Sequence, residues 1–190
     1  GNGSSLSAVK GGKCIDTSMG LTPLEGVPMG TRCGSIDPAI MPFLMDKLGL
    51  SAAEMDTYMN KKSGMLGVSG VSSDFRDLDA AARQGNERAE LALQMFAYKV
   101  KEYIGAYAAA LNGVDAIVFM AGVGENDSRM RELILTDMDY LGIDVDFAYN
   151  RSCPRGEEVE ISKPGSRVRV FVIPTDEEMT IARDTAALAL

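Results

Sequence analysis

The stretch from Asp16 to Pro38, DTSMGLTPLEGVPMGTRCGSIDP, constrains the fold more than any other part of the chain. It holds Gly20, Gly26, Gly30 and Gly34 with Pro23, Pro28 and Pro38, a density of turn formers that excludes a regular helix or a central strand. The composition predicts a long shaped loop. Loops of this length in compact domains are usually either functional or disordered. Met19, Leu21, Leu24, Val27, Met29 and Ile36 make this one too apolar for a solvated linker, so it is expected to pack. Arg32 is the only basic residue between Lys13 and Lys47, and Gly30 and Gly34 let backbone come close to a ligand beside it. Two readings stay open for Arg32: a guanidinium for an anion, or an arginine paired with Asp16, Glu25 or Asp37 to hold the loop's shape.

The chain contains no histidine, which rules out a Ser-His-Asp triad, a Cys-His pair and a histidine-ligated metal within these 190 residues. Chemistry must therefore rest on arginine, carboxylates and backbone amides. A net charge of −8 argues against a nucleic-acid partner, which requires a basic face, and disfavours a membrane surface. No apolar run approaches the roughly 18 residues of a membrane helix, and no secretory signal opens the chain, so the cytoplasm is the expected compartment. Cys14, Cys33 and Cys153 lack C-x-x-C spacing and suggest neither a disulfide framework nor a zinc site. The sequons at Asn2, Asn126 and Asn150 read as chance matches in such a chain.

Ser4 to Lys10 and Lys13 to Ser18 flank Gly11-Gly12, a two-residue hairpin signal. After Pro38 a short helix is expected over Ala39–Leu48, and Ser51-Ala-Ala-Glu54 is a capping box opening a second helix that ends near Ser63-Gly64. Gly64, Gly67 and Gly70 predict another flexible segment, followed by a helix capped by Ser73 or Asp74 and running toward Gly85. From Asn86 to Leu111, Leu93, Phe96, Val100, Tyr103, Ile104, Tyr107 and Leu111 recur at three and four residues, which predicts one long amphipathic helix. Asp115–Ala121 reads as a strand buried on both faces, leading into Gly122-Val-Gly124-Glu-Asn126 and a helix over Ser128–Leu141. Strand, Gly-x-Gly and helix aim backbone N–H groups at one point, an arrangement suited to phosphates, although neither G-x-G-x-x-G nor the P-loop pattern occurs. Arg167–Ile173 is a second strand, central in the sheet, and Thr175-Asp-Glu-Glu178 a capping box before a helix to Leu190. If Glu178 serves that box, Asp176 and Glu177 remain beyond a strand end, where ligands bind open α/β sheets or where acids serve only the helix dipole.

GNGSSLSAVKGGKCIDTSMGLTPLEGVPMGTRCGSIDP resembles the long signature of the acetate kinase family, continued by SSDFRD, AGVGEN and IPTDEE. The resemblance implies an α/β fold of ribonuclease H-like type, with a mixed sheet and flanking helices, shared with sugar kinases, heat-shock chaperones and actin. It implies two such domains around a cleft, of which residues 1–190 would be the C-terminal, nucleotide-binding one, with the final helix 176–190 packing toward the other. By position, Gly1, Asn2 and Gly3 match the family's phosphate loop. Asp74, Phe75 and Arg76 match a nucleotide-contacting segment, and Gly122, Val123, Gly124, Glu125 and Asn126 the adenosine-side loop. Arg32 matches the arginine that stabilises the transferring phosphoryl group, and Glu177 the glutamate associated with magnesium. The implied reaction is ATP + acetate ⇌ ADP + acetyl phosphate, in a homodimer. A propionate or butyrate kinase and a non-catalytic nucleotide-binding or dimerisation module are the alternatives.

The family's histidines, its acetate-side arginine and its catalytic aspartate match nothing here, because the resemblance places them upstream of Gly1. The chain is accordingly expected to be part of a longer protein, with no turnover and poor solubility on its own.

Overall fold

The structure, a computed structural model, describes residues 3–189; the expectations for Gly1 and Asn2 lie outside the described residues. The chain divides into two compact units, Gly1–Val114 and Asp115–Leu190.

In the first unit, strands β1 (Ser7–Lys10) and β2 (Lys13–Thr17) form an antiparallel hairpin. Gly11 and Gly12 take φ of 56° and 77°, the double left-handed turn that matches strand twist. No helix or strand follows until α1 (Ile40–Leu48), so the expected irregular stretch Asp16–Pro38 is irregular from Ser18 onward, its first two residues belonging to β2. It is packed: Val27 and Met29 are wholly buried. Helix α2 (Ala52–Lys61) opens on the predicted capping box, with the Glu54 N–H donating to Ser51 Oγ at 3.3 Å and the Ser51 N–H to Glu54 Oε2 at 2.8 Å. The glycine-rich segment after it is not flexible loop but helix α3 (Gly64–Ser69). A short helix survives there because its first-turn amides, which lack intrahelical acceptors, find them in the loop: Met65 and Leu66 donate to the carbonyls of Met29 and Gly30, both at 2.9 Å.

Asp74 caps α4 (Phe75–Arg83), and Asn86 caps the 25-residue α5 (Glu87–Leu111). The buried stripe of α5, including Leu93, Phe96, Val100, Ile104 and Tyr107, packs against α3, α4 and β1. Burying each large side chain of that stripe stabilises by roughly 1.5–3 kcal/mol, which makes it the main support of this unit.

The second unit is built on a mixed sheet of β3 (Ala116–Phe119), β4 (Val159–Glu160) and β5 (Arg169–Val172), in the order β3-β5-β4. β5 is central as predicted, parallel to β3 and antiparallel to β4. The expectation of a strand buried on both faces fails for β3. It lies at the sheet edge, and Val118 is 45% exposed while Phe119 is 9% exposed. Gly122–Asn126 is not an open loop but part of a short helix, α6 (Ala121–Asn126). The helix expected over Ser128–Leu141 stops early. It is α7 (Ser128–Leu135), broken where Asp137 takes φ 58°, with a separate 3-10 turn at Asp139–Leu141. Helix α8 (Phe147–Ser152) and the two-residue β4 were not foreseen, and α9 (Glu177–Ala189) closes the described chain with no buried residue.

Candidate functional site

The packed loop of the first unit presents Arg32. Its backbone is locked on both sides: the Met29 N–H donates to the Arg32 carbonyl at 3.0 Å, and the Cys33 N–H to the Met59 carbonyl at 3.0 Å. The side chain forms no ion pair with Asp16, Glu25 or Asp37. Among the described residues its Nη1 reaches only the Pro23 carbonyl at 3.4 Å and Met29 Sδ at 3.7 Å. A methyl group on Gly3 would stand 3.2 Å from the same Nη1, so the guanidinium lies alongside the glycine that the phosphate-loop pattern singles out. Of the two readings of Arg32, this geometry supports the one with an unclaimed cation for an anion.

Asp74, Phe75 and Arg76 share the start of α4, but they are not equally available. Asp74 accepts from the Arg76 N–H at 2.9 Å as helix cap, and the Phe75 ring packs edge-on against Phe96 with centroids 4.8 Å apart. The Arg76 guanidinium folds back on the Asp74 carboxylate at 2.6 Å and, with its N–H, holds the Asp74 pKa down to about 2. The Arg76 side chain is nevertheless 90% exposed, which leaves it open to a ligand.

In the second unit, β3 and β5 run parallel, so both deliver their following segments at one end of the sheet. Ala121, just past β3, takes φ 56°, an uncommon conformation for a residue with a Cβ. Its N–H donates to Thr175 Oγ1 at 3.0 Å. Thr175, just past β5, donates from both its N–H and its hydroxyl to Glu125 Oε1 at 2.8 Å each. Burial pushes the Glu125 carboxyl up, but those donors and the Ala121 N–H outweigh it and hold the group below its ordinary value.

The predicted capping box with Glu178 does not form: the Thr175 N–H, which the Glu178 carboxylate would accept, goes to Glu125, and the Thr175 hydroxyl accepts from the Ala121 N–H. Asp176 caps α9 instead, accepting from the Met179 N–H at 3.2 Å. That leaves Glu177, which has no hydrogen bond or ion pair among the described residues and lines an open cleft of about 520 Å³ with Met120, Thr175, Asp176, Thr180 and Ile181. Among the described residues no group of three or more metal-ligating side chains forms a closed cage. One free carboxylate among hydroxyl and carboxyl oxygens suits a magnesium ion that takes its remaining ligands from phosphate oxygens and water.

Residues 1–183 match the acetokinase family model. The chain belongs to the acetokinase family. It is 67% identical over 185 residues to an acetate kinase of Methanosarcina barkeri, covering 97% of this chain and 45% of that protein. It superposes on the solved structure of Porphyromonas gingivalis acetate kinase with a TM-score of 0.95 and 53% identity, over 100% of this chain and 47% of the other. A propionate kinase structure from Francisella tularensis gives 0.88 and 41%, over 95% and 46%. The chain thus spans about half the length of the acetokinase relatives it matches.

Sequence reasoning passed over one residue on which this acetokinase-family chain relies. Arg131 is only 2% exposed and donates to the carbonyls of Gly124 and Glu125, at 2.8 Å each, and to Asn150 Oδ1 at 2.7 Å. No carboxylate faces it among these contacts. Its charge is spread over oxygen dipoles, and burial holds its pKa below the ordinary value. Asn150, which drew notice only as a sequon, is buried and donates to the Ser128 carbonyl at 2.9 Å. Arg131 thus holds main-chain carbonyls at the end of α6, while Thr175 holds the Glu125 side chain and the Ala121 N–H.

Proposed function

We propose that the protein to which this chain belongs is an acetate kinase catalysing ATP + acetate ⇌ ADP + acetyl phosphate with Mg²⁺, and that residues 1–190 form its C-terminal, nucleotide-side domain. The ribonuclease H-like type of the domain, an upstream domain of the same protein toward which helix 176–190 turns, a homodimeric assembly and a cytoplasmic location belong to the same reading. Family membership supports it, and so does the absence of any helix long and apolar enough to cross a membrane among the described residues.

Arg32 carries the proposal. Phosphoryl transfer requires charge stabilisation and positioning more than proton chemistry, and a guanidinium held by a hydrogen-bonded loop with no acidic partner among the described residues is suited to the charge that develops on the transferring group. Asn2 and Gly3 would contact phosphates, and Arg76 with Gly122–Asn126 would contact the nucleotide. Glu177 would hold the magnesium ion, which supplies neutralisation of phosphate charge when bound.

The deciding experiment assays the intact protein for acyl phosphate formation from ATP with acetate, propionate and butyrate. The expected result is magnesium-dependent acetyl phosphate synthesis with acetate preferred. Preference for propionate would favour the second reading, which the likeness to the propionate kinase structure motivates. Nucleotide binding without transfer to any of the three acids would overturn both in favour of a binding module.

A further inference from the structure

Thr175 stands where the nucleotide-side helix and the magnesium-side segment meet. Its hydroxyl has one proton, given to Glu125 Oε1, and accepts the Ala121 N–H; its own N–H goes to the same Glu125 oxygen. The residue is therefore bonded to both ends of α6, at Ala121 and at Glu125. It is preceded by Pro174, which fixes its own φ, and followed by Asp176, the cap of α9, and Glu177. Arg131 anchors the Gly124 and Glu125 carbonyls to Asn150, so α6 cannot tilt without straining either the buried guanidinium or the Thr175 bonds. Three hydrogen bonds from one residue, two of them to a carboxylate, exceed what a connecting segment between strand and helix requires. Ala121 also holds its strained φ in the conformation that presents its N–H to Thr175.

We propose that Thr175 is a positioning residue that ties α6 to Glu177, so that nucleotide binding against Gly122–Asn126 and divalent-cation binding at Glu177 strengthen each other through the Glu125–Thr175–Ala121 bonds. This rests on the kinase reading above for the identity of the two ligands. A ligand that orders α6 holds Thr175, and with it the first turn of α9; by reciprocity, a cation that fixes Glu177 favours the same arrangement of α6. Groups hydrogen-bonded directly to a metal ligand contribute roughly 10- to 100-fold to metal affinity or activity; Thr175 acts on Glu177 through the intervening backbone, which places its share at the low end, about tenfold.

The test uses the intact protein, with Mn²⁺ as a spectroscopic probe. Its binding is titrated by electron paramagnetic resonance with and without ADP, alongside acetyl phosphate synthesis and thermal melting. Thr175→Val keeps the shape but removes both hydroxyl bonds. It is expected to weaken Mn²⁺ binding in the presence of ADP by about tenfold and to lower the ADP-dependent enhancement by the same factor, the remainder coming from direct coordination by the phosphate oxygens. Thr175→Ser, which keeps both bonds, should retain the enhancement, and Glu125→Gln should reduce it in the same direction by a smaller factor. A Val variant with undiminished enhancement, or a Ser variant as impaired as Val, would overturn the proposal. If Val melts too early for titration, the comparison of Ser and Gln with the unaltered protein decides on the same criterion. Failure of the unaltered protein to make acetyl phosphate overturns the kinase reading; the coupling is then judged from the Mn²⁺ and ADP titrations alone.

Discussion

The peptide N–H of Met65 donates to the carbonyl oxygen of Met29 at 2.9 Å, and the glycine before Met65 leaves no room for a side chain at that junction. Gly64 takes φ 60°, and a Cβ on it would overlap the Met29 carbonyl oxygen and stand 2.6 Å from that of Arg32. Gly64→Ala is expected to destabilise the protein by at least about 3 kcal/mol, since left-handed strain and a backbone overlap add. Thermal or denaturant unfolding of the variant checks this; a loss within 1 kcal/mol would mean that the loop can move away from α3 freely.

Arg32→Ala in the intact protein should lower kcat by roughly 100- to 1,000-fold with little change in ATP affinity, because the charge it meets develops during transfer. The steady-state constants separate the alternatives. A collapse of nucleotide affinity with turnover preserved would make Arg32 a ground-state binding residue.

Three consecutive acids divide the labour at the start of α9. Glu177→Ala should raise the magnesium concentration needed for half-maximal activity sharply. Asp176→Ala should mainly reduce stability, by about 1 kcal/mol as the loss of a cap does. Glu178→Ala should do neither. Magnesium titration and melting of the three variants test the division, and equal metal phenotypes at 177 and 178 would defeat it.

Asp74 gives the start of α4 a pH dependence. Hydrogen bonds from the Arg76 side chain and N–H lower its pKa from 3.8 to about 2, so between these values the unfolded chain binds the proton more readily than the folded one. Its contribution is complete above about pH 4 and is lost as the pH falls through 2. The pair is exposed, so solvent screening keeps the effect small. Carboxyl titration by NMR should find Asp74 ionised at pH 3, and a midpoint near 4 would remove the ion pair from the account.

Features written in neighbouring residues were legible in the sequence. Gly11-Gly12 specified its turn, Ser51 and Glu54 their box, and the three- and four-residue spacing from Leu93 onward the buried stripe of α5. Features that depend on a distant partner were not. Thr175 and Glu178 have the spacing of a capping box, yet the Thr175 N–H finds its acceptor in Glu125, 50 residues away, and the cap passes to Asp176. Nothing near Arg131 announces that it will be buried, because its partner Asn150 lies 19 residues on and in another helix. The order of α3 is hidden for the same reason: its glycines permit many conformations, and the carbonyls of Met29 and Gly30 select one. The apolar run of β3 shows a limit of a different kind. Such a run reports that a strand is suited to burial on two sides, not that a neighbour covers it.

The edge position of β3 bears on how residues 1–190 would behave in a test tube. Among the described residues β3 is paired on one side only, and its other side offers main-chain donors and acceptors beside Val118 and the adjoining Met120, which is 50% exposed. Neither proline nor charge interrupts Ala116–Phe119 to discourage an incoming strand. The isolated span therefore has a built-in second-order reaction with itself. Dilution should keep it dispersed, concentration should drive it into strand-paired aggregates, and a covering segment supplied by the rest of the protein would convert the same edge from a colloidal liability into an interior seam.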